Sequence, residues 1–176
     1  MKKKLKIQIF ADGADEKSML ELSKMKHIKG LTTNPSLMRK AGIKDYLKFS
    51  KKILSKIKHK SISLEIFSDE EKEIERQARI IASLGKNVFV KIPIMNTKGQ
   101  YLYSLIKKLS NEGINLNITA VFKFNQVKKL YNSLNPKSNS YISIFAGRIA
   151  DTGIDPCPII IKTKDRKSTR LNSSHR

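Results

Sequence analysis

The sequence predicts an α/β fold of the (β/α)₈ TIM-barrel class, with about six of the eight βα units present. Three observations carry this. Strand-like and helix-like segments alternate along residues 5–145, the pattern of right-handed βα units around a parallel sheet. Polar side chains gather where the strands end: Asp12, Asn34, Glu65, Thr119 and Arg148 lie at or just past a carboxyl end, and Lys91 lies near one. Barrels of this class build their sites there. An open doubly wound sheet would instead want a glycine-rich phosphate turn after its first strand, and Ala11-Asp12-Gly13-Ala14-Asp15 is not such a turn.

The elements follow in order. Residues 5–11 read as a strand and 16–25 as a helix; 28–33 form a short strand, and 36–58 are helical with a break at Gly42. Residues 61–67 alternate apolar and polar side chains, the period of a strand. Ser68 is placed as the cap of the next helix, with Glu71 at the capping-box position and an end near Gly85. Residues 87–92 form a strand that Pro93 ends, and a helix over 98–111 stops at Gly113. A strand over 114–122, a helix over 125–134 and a sixth strand over 141–145 complete the pattern.

Residues 1–161 are therefore read as an incomplete barrel, and 162–176 as a polar tail without periodicity, disordered or foreign to the native reading frame. The end of that tail looks like sequencing-adaptor read-through. A full barrel of this class needs about 200–250 residues. The sixth helix and the last two strands are expected beyond the point where the tail begins. A six-stranded piece leaves two unpaired edges, so the chain alone is expected to be unstable and inactive.

Composition narrows the class. With 176 residues and 39% hydrophobic content, the chain can bury one core in one domain. No apolar run approaches the roughly 20 residues of a membrane span. The basic start Met1-Lys2-Lys3-Lys4 is followed by a stretch broken at Lys6, Gln8 and Asp12, unlike a signal peptide. Cys157, the single cysteine, sits between Pro156 and Pro158 in what reads as a loop, without metal-ligand spacing. A cytoplasmic protein is expected. The formal net charge of +21 raises the question of nucleic acid. The lysines are spread over exposed helix faces, as at Lys44, Lys48, Lys51, Lys52, Lys56 and Lys58, with no aromatic-interleaved basic motif. Nucleic acid is thus not the expected partner, whereas a positive field attracts phosphorylated metabolites.

Lys91 interrupts the apolar run Val88-Phe89-Val90-Lys91-Ile92-Pro93. Lysine is rare inside an apolar strand unless its amine is used or its charge is lost. Amines held away from water become nucleophiles that form Schiff bases with carbonyls. The plainer alternative is an edge strand with Lys91 facing solvent.

Six segments, in order over residues 5–156, then resemble the transaldolase family. They are Phe10-Ala11-Asp12, Gly30-Leu31-Thr32-Thr33-Asn34-Pro35-Ser36, Glu65, Val90-Lys91-Ile92-Pro93, Asn117-Ile118-Thr119, and Ile142-Ser143-Ile144-Phe145-Ala146-Gly147-Arg148-Ile149-Ala150-Asp151. The resemblance implies a (β/α)₈ barrel that works without cofactor or metal. It moves a dihydroxyacetone unit from a ketose phosphate to an aldose phosphate through a lysine Schiff base. It implies Lys91 as nucleophile, Asp12 as the acid/base at the C4 hydroxyl, and Glu65 and Thr119 as holders of a proton-shuttling water. Asn34, Asn117, Ser143, Phe145 and Arg148 form the implied substrate-binding set, with Arg148 on the sugar phosphate. A homo-oligomer of the full barrel is left open.

Each of these residues has a plainer reading. Asp12 fits a turn with Gly13, and Asn34-Pro35 is a helix start. Glu65 could face solvent. Ser143 and Thr119 are common in strands, and Arg148-Asp151 could be a surface pair worth little. His27, His59 and His175 show no partner spacing. A sister group within the resemblance cleaves fructose 6-phosphate as a simple aldolase, with Gln in place of the strand-three Glu and a Tyr near the catalytic water. Glu65 and Phe145 favour the transaldolase side. Gly13 departs from the Thr or Ser usual after the aspartate. A basic nucleic-acid-binding protein without catalysis is the alternative from another class.

Overall fold

The computed structural model describes residues 7–164 and 170–173. Its strands are β1 (Ile9–Asp12), β2 (Ile28–Thr32), β3 (Ser61–Glu65), β4 (Val88–Pro93), β5 (Leu116–Val121), β6 (Ser140–Ile144) and β7 (Arg170–Ser173). They form one sheet in chain order, and every pairing is parallel. The connecting helices are α1 (Glu16–Lys24), α2 (Pro35–Lys40), α3 (Tyr46–Lys56), α4 (Glu71–Ala82), α5 (Tyr103–Asn111), α6 (Phe124–Ser133), α7 (Ala146–Ala150) and α8 (Cys157–Lys164).

Strand alternation gives the sheet two different faces. One face carries Ile62, Leu64, Val90, Ile92, Leu116, Ile118, Ile142 and Ile144, all buried under helix side chains such as Ile53, Ile74, Ile106 and Leu130. The other face is small, aromatic or polar. Near the start of the strands, Phe10 of β1 meets Tyr141 of β6 edge-on at 5.1 Å, and Phe89 of β4 stacks on Tyr141 at 4.4 Å. Strands β1 and β6 lie far apart in the pairing order, so this contact requires the sheet to curl. The aromatic cluster fills the inside of the curl and forms a floor beneath the carboxyl ends of the strands. The result is a curled, all-parallel partial barrel of the expected class.

Several boundaries differ from the sequence reading. Helix α4 begins at Glu71 with Glu70 as its cap residue, and Ser68 does not cap it. The Ser68 hydroxyl instead accepts from Glu70 N at 3.1 Å, the local turn that serine favours. Helix α5 starts at Tyr103 rather than at 98. The preceding residues turn back on themselves, with Met95 bridging Tyr101 and Gly99 at φ 80°. Gly99 needs a left-handed conformation that helix cannot supply. Cys157 opens α8 rather than lying in a loop. Pro158 is tolerated there because first-turn N–H groups have no helical partner anyway. Helix α8 reaches Lys164, past the expected boundary at 161. The backbone of Arg170–Ser173 adds a seventh strand beside β6, where only six were expected, because an open edge offers unpaired N–H and C=O groups. The rest of the 162–176 tail and residues 1–6 lie outside the described residues.

Strand β5 breaks register with β6 between Ile118 and Val121, and Ala120 there has φ 56°. A bulge of this kind re-aims the side chains next to it, and Thr119 is one of them. Left-handed alanine costs about 1–2 kcal/mol. Ala120→Gly is therefore expected to be neutral or to stabilise by up to about 1 kcal/mol, and Ala120→Val to destabilise by about 1–2 kcal/mol. Urea midpoints at constant m-value check this, and a clear loss on Ala120→Gly would contradict the strain.

Candidate active site

The carboxyl ends of the strands surround a cleft of about 520 Å³. Its floor is set by register. Glu65 of β3 pairs with Lys91 of β4, and Lys91 pairs with Asn117 of β5, so the three side chains point into the curl side by side. The Lys91 side chain is 12% exposed and that of Glu65 26%. Lys91 is thus neither an edge-strand lysine in open solvent nor sealed in the core. Lys91 Nζ lies 3.3 Å from Glu65 Oε2 and donates to the Thr33 carbonyl at 3.2 Å. These two contacts aim the amine at the cleft.

A buried relay crosses the same floor. Ser143 Oγ donates to Asn117 Oδ1 at 2.7 Å, and Asn117 Nδ2 donates to Ser63 Oγ at 3.0 Å. All three residues are buried. The relay fixes which way the Asn117 amide faces and leaves its second N–H for a ligand. It also ties β3, β5 and β6 together. Removing one member strands a buried polar group, which costs about 1–3 kcal/mol. Ser63→Ala is expected to lose that much unfolding free energy by chemical denaturation, and an unchanged midpoint would mean that Asn117 is satisfied elsewhere.

The remaining expected residues line the walls and rim. Asn34 is both a helix cap and a wall residue: its Oδ1 accepts from Leu37 N at 2.9 Å, with Pro35 next at the first helical position. Its NH₂ is left for a ligand. Thr119 is buried beside the β5 bulge. Phe145 lies edge-on to Phe122 at 5.6 Å. Asp12 is exposed at the end of β1. Arg148 and Asp151 form a rim pair at 3.5 Å, with side chains 73% and 66% exposed. That contact is a weak surface pair, as the plainer reading had it, and both residues still border the cleft.

All nine residues expected from sequence thus share one cleft. Ser63, Thr32, Ser36 and Asp151 had no expected role. The signal for Ser63 was present: in Ser61-Ile62-Ser63-Leu64-Glu65 it shares the face of Glu65. Thr32 lies two residues before Asn34 and pairs with Asp12. Among the described residues, no cluster of His, Cys, Asp and Glu has the makings of a metal site, and no helix is long and apolar enough to cross a membrane.

A parallel βα sheet curled around a polar cleft at its carboxyl edge, with a lysine paired to a carboxylate on its floor, defines a partial barrel whose site is built from strand ends. The sequence narrows that class to one family. Residues 9–168 match the profile of Transaldolase/Fructose-6-phosphate aldolase, and the chain belongs to this family. Over 154 residues it is 35% identical to a "Probable transaldolase" of Dehalococcoides mccartyi, covering 88% of this chain and 68% of that protein. A "Probable transaldolase" of Thermoanaerobacter sp. is 34% identical, with 88% and 67% covered. One from Methanococcus maripaludis is 35% identical over 150 residues, with 85% and 65% covered. The chain spans about two thirds of the length of these relatives. The family and the relatives' names indicate an enzyme of transaldolase type.

Proposed function

We propose that the protein from which this chain derives transfers a dihydroxyacetone unit between sugar phosphates through a Schiff base on Lys91. The observation that carries this is the Lys91–Glu65 contact at 3.3 Å on the floor of a cleft lined by hydroxyl and amide groups. Apo distances of this size tighten when substrate binds. The Lys91 amine adds to the ketone carbon of a ketose phosphate, and the carbinolamine loses water to give a protonated imine. Glu65 and Thr119 hold the water that carries protons in these steps. Asp12 then takes the proton of the C4 hydroxyl. The C3–C4 bond breaks, its electron pair flows into the imine to leave an enamine on Lys91, and an aldose phosphate departs. An acceptor aldehyde reverses the last step, and hydrolysis of the new imine frees Lys91. Asn34, Asn117 and Ser143 hold the substrate hydroxyls, Phe145 walls the site, and Arg148 takes the phosphate, whose oxygens match its fork.

Glu65 and Phe145 favour transfer over simple cleavage. The test is the intact mass after borohydride reduction with fructose 6-phosphate. A dihydroxyacetone-sized adduct is expected, and adding an aldose phosphate before reductant should remove it. Free dihydroxyacetone accumulating without acceptor would mark an aldolase instead. A folded protein that forms no adduct would sink the Schiff-base reading.

A further inference from the structure

Glu65 is the last residue of β3; Ile66 still donates its N–H to the Lys91 carbonyl of β4 at 3.2 Å, and the chain leaves the sheet at Phe67. Strand-end loops drift unless they are tied. This one is tied from two sides. Tyr46 Oη, on the first residue of α3, donates to the Glu65 carbonyl at 2.9 Å. Its ring also meets Phe67 edge-on at 4.5 Å. From the other side, Gln77 Oε1 of α4 accepts from Phe67 N at 2.8 Å and from Ser68 N at 3.3 Å. Gln77 Nε2 donates to Glu73 Oε1 at 2.9 Å, which fixes the direction of the amide.

Tyr46 is itself rigidly placed. Asp45 caps α3, accepting from Lys48 N at 2.9 Å, so Tyr46 occupies the first helical position. Burial first, and then the neighbouring Glu65 carboxylate, push the Tyr46 phenol well above its ordinary pKa. The hydroxyl therefore keeps its proton and stays a donor. Tyr46 is not among the residues that line the cleft, and its hydroxyl reaches the site through the Glu65 carbonyl. Phe67 is 51% exposed, so the ring contact alone is a poor reason for the arrangement.

We propose that Tyr46 is a positioning residue: its O–H···O=C bond to Glu65 holds the Glu65 carboxylate within reach of Lys91 Nζ and so sets the rate of the proton transfers, an inference that rests on the Schiff-base reading above. Tyr46→Phe removes only the hydroxyl. It is expected to slow imine formation about tenfold, since small misplacements of a proton-transfer group are costly. KM should change less than about twofold, because substrate contacts are kept. The limb of the pH–rate profile that Glu65→Gln removes should shift in Tyr46→Phe. The double variant should be no slower than Glu65→Gln alone, because residues acting through one another are not additive. Phe67→Leu, which spares the hydrogen bond, should leave that limb in place.

The experiment is borohydride-trapped imine formation against pH on wild type, the three single variants and the double, with thermal melts alongside. Additive losses, or a Tyr46→Phe enzyme that only melts lower with an unmoved limb, overturn the positioning role and leave the Schiff base standing. A folded wild type that traps no adduct overturns both.

Discussion

On the proposed mechanism, Lys91→Met is expected to lose the trapped adduct and all sugar transfer while the fold survives. The loss in turnover is expected to be on the order of 10⁴-fold or more, because no other group can take over a covalent step. Lys91 is the one lysine among the residues that line the cleft, so no neighbour substitutes for it. Stability is expected to fall modestly, because methionine leaves the partly buried Glu65 carboxylate without its cation. The Lys91 side chain is 12% exposed and held by one carboxylate and one carbonyl; the pair itself returns little net energy once desolvation is counted, so the cost is that of the stranded Glu65. Methionine keeps much of the length of the stem without the charge. Lys91→Arg separates the two contributions of the amine. It keeps a cation beside Glu65 and forms no imine, so it should fail as completely as methionine. Intact mass after reduction and a thermal melt on the same samples decide the matter. Undiminished labelling of Lys91→Met would move the nucleophile to another lysine and end the assignment.

The residues of the inner face were picked out by the resemblance to the transaldolase family, since strand alternation alone left each of them a plainer reading. Asp12, Glu65, Lys91, Asn117, Thr119 and Ser143 each occupy a strand position whose neighbours on either side are apolar or outward-facing. Lys91 was the exception, because a lysine inside an apolar run already asks for a use of its amine. The loops were less legible. Ser68 and Glu71 fit a capping box, yet the helix starts later, because Gln77 competes for the N–H groups of Phe67 and Ser68 from a full two turns away. The residues before Tyr103 carry good helix formers, but Gly99 and the Asn96–Gln100 bonds turn them into a small antiparallel excursion. Tyr46 shows the same limit most clearly. Nothing in its local pattern says that its hydroxyl reaches Glu65, 19 residues on, since that contact depends on how α3 packs against the end of β3. The seventh strand was not legible because the backbone pairing of Arg170–Ser173 owes nothing to the hydrophobic alternation on which strand reading depends.

Gly30→Ala is the change expected to cost the fold most for the least added mass. Gly30 does not have a positive φ, so the demand for glycine is one of space. A Cβ built there would overlap Ser61 Oγ on β3 and come within 2.5 Å of Phe10 Cε1 and 2.6 Å of Phe10 Cδ1 on β1. Ser61 Oγ can turn away about χ1, so the harder obstacle is the ring of Phe10. The Phe10 ring is wedged against Tyr141, which is itself stacked on Phe89. A methyl at Gly30 must therefore push β1 away from β2 or disrupt the aromatic floor. Overpacking of this kind costs about 1–3 kcal/mol and occasionally more. The damage should reach the cleft, because Asp12 and Thr32 are paired two residues further along the same two strands. A displacement there of about 1 Å would lower sugar transfer by up to about 100-fold, beyond the loss of folded protein. The compensating double variant Gly30→Ala/Phe10→Leu should recover part of the stability, since it shrinks the group that the methyl strikes. Urea denaturation of both variants measures this directly. An unchanged midpoint for Gly30→Ala would mean that Phe10 has room to swing aside, and that the aromatic cluster does not brace the floor of the site.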